Sequence, residues 1–350
     1  MALEVLEVCA GAGGQALGLE QAGFRHKALV EIDASSCATL KANRPGWNVV
    51  QEDVHGFTGN DFRGIDLLAA GVPCPPFSKA GKQLGSKDER DLFPEVIRLV
   101  QEARPKAVMI ENVRGLLDPV FRDYRRQIQK DLESLGYSVS WRLLHASDFG
   151  VPQLRPRTVL VALRGEYAAS FAWPGPFAKP PTTVGDALYR HMASRGWREA
   201  EQWRQRAIGI APTLVGGSRK HGGPDLGPTR ARRAWAALGV DGKSVANEAP
   251  EPDYRGMPRL TVRMAATLQG FPEDWVFTGS KTSAYRQVGN AFPPPVARAV
   301  GEAIARALSA DGELAIRPIR RGQLCFSVQE AGDSAQLGRV LSASGLGGMQ

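Results

Sequence analysis

With 350 residues, 43% of them apolar, the chain can bury a sizeable core as one large domain or two ordinary ones. Cys9, Cys37, Cys74 and Cys325 lie far apart with no CxxC pair, which argues against a disulfide frame and a zinc site, so a reducing compartment and no metal are expected. No apolar run approaches a membrane span and the N-terminus lacks a signal-peptide pattern, so the expected protein is soluble and cytoplasmic. The net charge is +8, and residues 190–263 hold 14 Lys/Arg against 7 Asp/Glu, so nearly all the surplus sits in one Gly/Pro-rich segment. That concentration favours a polyanionic partner over the plainer reading of a solvated face.

Leu3 to Ala10 reads as a first strand, and Gly11-Ala12-Gly13-Gly14 turns it into a helical pattern from Gln15 to Ala22, closed by Gly23. Strand, glycine turn and helix make a nucleotide-type corner, because small residues let backbone N–H groups approach a ligand. A second strand, Lys27 to Glu31, ends in Glu31-Ile32-Asp33. Its acid, about 20 residues beyond the glycines, can accept both hydrogen bonds of a ribose diol. A third strand, Asn48 to Gln51, ends at Glu52-Asp53-Val54 on the same rim. Such acids are also ordinary turn formers and helix caps. Two in succession after a glycine turn favour a ligand site.

A fourth strand, Ile65 to Ala70, runs into Gly71-Val72-Pro73-Cys74-Pro75-Pro76-Phe77-Ser78. Prolines fix the backbone around one thiol at a strand's carboxyl end, where open α/β sheets keep their chemistry. Cys74 is therefore a candidate nucleophile, although most free cysteines are buried and inert. The charged, glycine-bearing stretch from Lys79 to Asp91 has the profile of a lid. A helix from Leu92 to Ala103 follows, then a buried strand from Ala107 to Ile110 ending in Glu111-Asn112-Val113. A carboxylate placed there is poorly solvated, which raises its pKa and suits proton sharing; the plainer readings are a helix-cap partner or a salt bridge. A helix from Asp123 to Leu135 and a strand from Ser138 to Leu144 lead to Gln153-Leu154-Arg155-Pro156-Arg157 and a strand from Thr158 to Leu163. Two arginines on alternate extended residues point the same way, as a phosphate or carbonyl clamp or as surface ion pairs.

Trp173 to Pro181 reads as a linker, and the pattern stays irregular to about Arg255, with Pro212 to Gly223 almost all loop and turn. A helix from Thr261 to Leu268 comes next, then Tyr285 to Pro295 leading into a helix from Val296 to about Leu308. The Ser/Gly/Ala-rich tail beyond Ala310, with one short strand at Leu324 to Val328, is expected to be poorly ordered at its end.

In this order the motifs resemble those of bacterial-type DNA (cytosine-5) methyltransferases. They are Ala10-Gly11-Ala12-Gly13-Gly14, Glu31-Ile32-Asp33, Asp53-Val54, Pro73 to Ser78, Glu111-Asn112-Val113, Gln153 to Arg157, and Gln287-Val288-Gly289-Asn290, and the likeness runs from Val5 to about Leu308. Three positions depart from the family pattern: Cys9 stands for an aromatic residue, Pro75 for glutamine and Ala291 for serine. The resemblance implies an α/β, Rossmann-like S-adenosylmethionine-dependent methyltransferase domain with a small irregular target-recognition domain inserted before the C-terminal helix. Its parts would be a catalytic stretch 1–172, target recognition 173–257, a second catalytic stretch 258–310 and a partly disordered tail 311–350. The implied catalytic residues are Cys74, Glu111, Arg155 and Arg157. The Cys74 thiolate would add to C6 of a flipped-out cytosine so that C5 can take a methyl group. Glu111 would hydrogen-bond or protonate N3, Arg157 would hold the cytosine carbonyl oxygen, and Arg155 would buttress it and the sugar-phosphate.

S-Adenosyl-L-methionine, leaving as S-adenosyl-L-homocysteine, would be held by Ala10, Gly11, Ala12, Gly13, Gly14, Glu31, Ile32, Asp53, Val54, Gly71, Pro73, Leu92, Asn290 and Ala291. DNA would be met by Ser78, Lys82, Thr213, Leu214, Arg219 and Lys220, with Thr213-Leu214 matching a Thr-Leu pair that recurs in the family. The implied partners are double-stranded DNA and a cognate restriction endonuclease acting separately, with no membrane; the enzyme would be a monomer in the bacterial cytoplasm, associated with the nucleoid. An RNA (tRNA) cytosine-5 methyltransferase of the same fold would share every catalytic motif but has less need of the long basic insert. A nicotinamide-dependent dehydrogenase accounts only for the glycine turn and Glu31. A non-catalytic DNA-binding protein of this fold leaves Cys74, Glu111 and Arg157 without a purpose.

Overall fold

Apolar runs separated by glycine-punctuated helical stretches wind into one sheet. In the computed structural model, which describes residues 2–73, 91–216 and 224–309, the first part of the chain forms β1 (Leu3–Val8), α1 (Gly14–Gln21), β2 (Phe24–Glu31), α2 (Ala34–Asn43), β3 (Val49–Gln51), β4 (Leu67–Gly71), α3 (Phe93–Ala103), β5 (Ala107–Val113), α4 (Arg122–Ser134), β6 (Tyr137–His145), β7 (Pro156–Arg164) and α5 (Gly165–Ala168). The later part is helical among the described residues: α6 (Val184–Ala193), α7 (Ala200–Arg206), α8 (Thr229–Ala237), α9 (Val262–Gln269), α10 (Lys281–Asn290) and α11 (Pro294–Ser309). No helix among the described residues is long and apolar enough to cross a membrane.

The strands stand in the order β3-β2-β1-β4-β5-β7-β6. Neighbours run parallel except β7, which is antiparallel to both β5 and β6. The winding reverses between β1 and β4, and ligands of such sheets bind outside the carboxyl ends of the strands at that point. Side chains alternate between two covered faces. Leu68, Ala70, Val108 and Ile110 pack with Val96 and Leu99 of α3 and Ile128 of α4, whereas Leu67, Ala69, Ala107 and Met109 pack with Leu19 of α1 and Val300 and Ile304 of α11. Cover on both faces is why these strands read as continuous apolar runs rather than as alternating ones.

The return of α11 onto α1 depends on one missing side chain. A Cβ built on Gly18 would lie 2.5 Å from Ala297 Cβ and 2.7 Å from Arg298 N. Gly18→Ala should push the two helices apart and lower stability by about 1–3 kcal/mol. A fall in the urea midpoint at unchanged m-value reads that loss, and an unchanged midpoint refutes it.

The elements expected from Leu3 to Leu163 are present, with ends shifted by one to three residues. Helices α2 and α10 were not anticipated. Their signals are caps: Asp33 accepts from Ser36 N at 2.9 Å, and Ser280 from Ser283 N at 3.2 Å. The stretch read as irregular is mostly turns and extended connections, yet it also carries α6, α7 and α8. Trp197, Trp203 and Trp235 are buried there in one core with Leu260 and Met264 near α9 and with Tyr285 and Val288 of α10. The tail beyond Ser309, with its expected strand, lies outside the described residues.

Candidate active site

The carboxyl ends of β1 to β5 form one rim. At the end of β1 the chain enters the left-handed region at Gly11 (φ 55°) and Gly13 (φ 87°), where a side chain would be strained. The back of this turn is packed. A Cβ on Gly13 would come within 2.8 Å of both Leu40 Cδ2 and Trp275 Cζ2, one on Gly14 would collide with the Phe292 carbonyl, and Trp275 Nε1 donates to the Ala12 carbonyl at 3.2 Å. The front is open, since a Cβ on Gly11 would meet nothing within 4 Å. Ala10 and Ala12 are buried beside it.

Glu31, at the end of β2, borders that opening. One carboxylate oxygen accepts from Gly11 N at 2.7 Å and the other from Asp33 N at 2.8 Å. Burial pushes this carboxyl up and the two N–H donors pull it back. The next side chain, Ile32, is 63% exposed. Beyond β3, Val54 is buried and Asp53 is exposed; its Oδ1 accepts from His55 N at 3.0 Å and pairs with His55 Nδ1 at 2.7 Å, which holds it below the usual carboxylate range. A buried acid, an exposed aliphatic face and an exposed acid beside an open glycine match a ribose diol, a purine face and an amino group in turn. Asp33, by contrast, caps α2. Asn290 is exposed at the end of α10, and Ala291 is buried against the place a Gly14 Cβ would take, at the packed back of the turn. Leu92 is half-buried at the start of α3.

The second half of the rim lies on β4, β5 and β7. Gly71 pairs with Glu111 across β4 and β5, Pro73 is exposed just beyond, and Cys74 is three residues after Gly71 in the chain. Cys74, Ser78 and Lys82, with all of the expected Lys79–Asp91 lid but Asp91, lie outside the described residues, as do Arg219 and Lys220. Glu111 opposes Val159 of β7, and Arg157, two residues away on the same face, puts Nε 2.8 Å from Glu111 Oε1. Burial pushes the Glu111 carboxyl up; Arg157, and after it Arg155, oppose that. The result is a desolvated acid beside a fixed cation, a pair suited to holding an amide-like edge and sharing a proton with it. Of the described cysteines, Cys9 is pushed up to about 12 and Cys37 to about 11, each mainly by burial, so both stay protonated thiols at neutral pH.

Arg155 does not join Arg157 at Glu111. It is fully buried, and its guanidinium donates to the carbonyls of Leu214 (2.6 Å), Gly289 (2.8 Å) and Ala291 (3.0 Å). Thr213 Oγ1 donates to the Leu154 carbonyl, so Thr213 and Leu214 are bound to this loop. Three residues with no role in the sequence reading hold the rim together: Gln153, Gln269 and Trp275. Gln153 stood inside a quoted motif, and Gln269 directly precedes Gly270, the left-handed cap of α9 (φ 86°).

Several arginines of 190–263 are held in ion pairs or on carbonyls, which leaves fewer of them free to meet a polyanion. Arg198 pairs with Asp253, Arg204 with Asp186, Arg255 with Glu199 and Arg259 with Asp241, at 2.5 to 2.9 Å, and Arg263 donates to the carbonyls of Pro272, Glu273 and Trp275. On α8, Arg230, Arg232 and Arg233 make no ion pair among the described residues.

Comparison with known proteins gives the family. The chain is 56% identical over 306 residues to the type II methyltransferase M.NgoMIV of Neisseria gonorrhoeae, covering 87% of this chain and 97% of that one. It is 52% identical over 339 residues to the type II methyltransferase M.NaeI of Lentzea aerocolonigenes, covering 95% and 82%. In fold it is similar to a crystal structure of a putative DNA modification methyltransferase encoded within a prophage of E. coli, with a TM-score of 0.62 at 24% identity over 88% of this chain and 100% of that one. The family described as C-5 cytosine-specific DNA methylase matches residues 3–306, and the chain belongs to it.

Proposed function

We propose that this cytosine-5 DNA methyltransferase is the modification member of a type II restriction–modification pair, methylating one cytosine within a short duplex sequence and acting as a monomer beside a separate endonuclease. The observation that carries the chemistry is the buried Glu111 with Arg157 at 2.8 Å, on the strand next to the one that runs into Cys74. The open Gly11 face, Glu31 and exposed Ile32 fit S-adenosylmethionine, with Asp53 at its adenine and Asn290 and Ala291 as further contacts in this reading. Bound there, it supplies an electrophilic methyl group.

Cytosine C5 is a weak nucleophile. Addition of the Cys74 thiolate to C6 breaks the C5–C6 double bond and moves its electron pair toward C5. Glu111 gives or shares a proton at N3 as charge develops in the ring, and Arg157 holds the carbonyl oxygen beside it. Loss of the C5 proton then re-forms the double bond and expels the thiolate. A base stacked in a duplex cannot reach this rim, so it must be flipped out. Residues 173–257 are the target-recognition part in this reading, with Thr213, Leu214, Arg219 and Lys220 among its DNA contacts.

Labelled S-adenosylmethionine offered with duplex DNA and, separately, with tRNA tests the substrate, and bisulfite sequencing of the product reads the site. Protected cytosines in one short context are expected; transfer to tRNA alone overturns the DNA reading. The arginines of α8, which make no ion pair among the described residues, make a second prediction. Arg230→Ala with Arg233→Ala should flatten the plot of log affinity against log salt by about 1 per phosphate contact removed. An unchanged slope places the phosphate contacts elsewhere.

A further inference from the structure

Both main-chain groups of one residue in the proposed target-recognition part are gripped by side chains of the β6–β7 loop. Leu214 N donates to Gln153 Oε1 at 2.8 Å, and the Leu214 carbonyl accepts from Arg155 Nη1 at 2.6 Å. Below it the chain segments bond directly, Leu154 N to the Ala211 carbonyl at 2.7 Å and Ala211 N to the Pro152 carbonyl at 2.9 Å. The grip continues into the later helices. Gln153 Nε2 donates to Gln269 Oε1 (2.6 Å) and to the Leu268 carbonyl (3.0 Å), and Gln269 Nε2 donates to the Ala291 carbonyl (2.5 Å). Gln153, Arg155, Leu214 and Gln269 are each fully buried, so water cannot replace a lost partner and each bond holds its geometry firmly.

Two residues after Arg155 in the chain stands Arg157, which faces Glu111. The loop that fixes the main chain at Thr213 and Leu214 therefore runs straight into β7, whose second residue is the cation facing Glu111. We infer that Gln153 is a positioning residue for sequence discrimination, with Gln269 behind it. It sets where the recognising segment stands relative to the base-binding rim, and it touches neither cytosine nor cofactor. This rests on residues 173–257 reading the DNA sequence.

The test is Gln153→Met, which keeps the volume and removes both polar ends, with Gln269→Met as a second variant. Each full-length variant is assayed on the duplex sequence that the parent methylates and on duplexes with one neighbouring pair changed. A rise of about tenfold or more in KM for DNA is expected. The preference for the correct duplex should fall by about the same factor, with the dissociation constant for S-adenosylmethionine unchanged. A lower kcat with preference and KM unchanged is what a merely structural role gives, and it overturns the inference. A hybrid chain carrying residues 173–257 from a relative that methylates a different sequence reports on the underlying reading alone. If its methylated sequence does not move, that reading fails; if it moves while Gln153→Met keeps its preference, only the role of Gln153 fails.

Discussion

Glu111→Gln is expected to slow single-turnover methyl transfer about 10²–10⁴-fold while S-adenosylmethionine still binds. The amide keeps the shape and can hydrogen-bond to N3 of the base, but it has no acidic proton to share. The loss should depend on pH in a defined direction. Burial holds the Glu111 carboxyl above its ordinary range against the pull of Arg157, and the acid form is the one that serves N3. The parent's rate should therefore fall as pH rises through that raised pKa, and the variant should lack this limb. The substitution also removes the anion from Arg157, whose side chain is 11% exposed. An uncompensated charge at that depth costs on the order of 3–5 kcal/mol, enough to confuse lost chemistry with lost fold. Assaying Glu111→Gln well below its own melting temperature separates them: S-adenosylmethionine should still bind and the rate should stay low. A Glu111→Gln variant with parental rate would remove the carboxyl from the mechanism.

Cys74→Ala should bring methyl transfer down to background and leave affinity for duplex DNA largely intact. Without addition at C6 there is no enamine-like carbon to methylate, and no positioning of the donor makes up for that. Cys9 and Cys37 cannot stand in, because burial pushes their thiols up to about 12 and about 11. Trapping a protein–DNA adduct on a 5-fluorocytosine duplex gives an independent readout, since the missing C5 proton blocks release. The adduct should form with the parent and be absent from the variant. Retained transfer in Cys74→Ala would sink the covalent mechanism.

How much of this was legible in the sequence depends on whether the signal is local. Each rim strand announces itself by an apolar run ending in glycine or an acid, so the placement of Gly11, Glu31, Gly71 and Glu111 at strand ends could be read without a structure. Helix α2 could not, because its Ser, Thr and Lys residues leave no apolar stripe and only Asp33 marks its start. The short helices around Trp197, Trp203 and Trp235 fail for a different reason: at seven to ten residues among glycines and prolines each is too short to stand out, and their core is shared with α9 and α10. Arg155 shows where a local rule stops. Alternate residues share a face within a strand, but β7 begins at Pro156, so Arg155 stands one residue outside and turns toward Leu214. Which of the arginines are tied up in ion pairs was equally out of reach, since Arg198 meets Asp253 55 positions along the chain.

The packing of α1 against α11 bears on when this enzyme becomes an enzyme. Gly14 and Gly18 emerge early from the ribosome, yet the surfaces that cover them, Phe292 and the turn from Pro294 to Arg298, are nearly the last of the described residues to be made. Loop closure over so long a separation is slow compared with local helix formation. Until it happens the glycine turn lacks its backing and α1 has its small-residue face uncovered. A chain stalled or cut before Pro294 would expose that face to aggregation and could not hold the cofactor rim in shape. Methylating activity should thus switch on only once the chain up to Arg298 has emerged, with no partly active fragment preceding it.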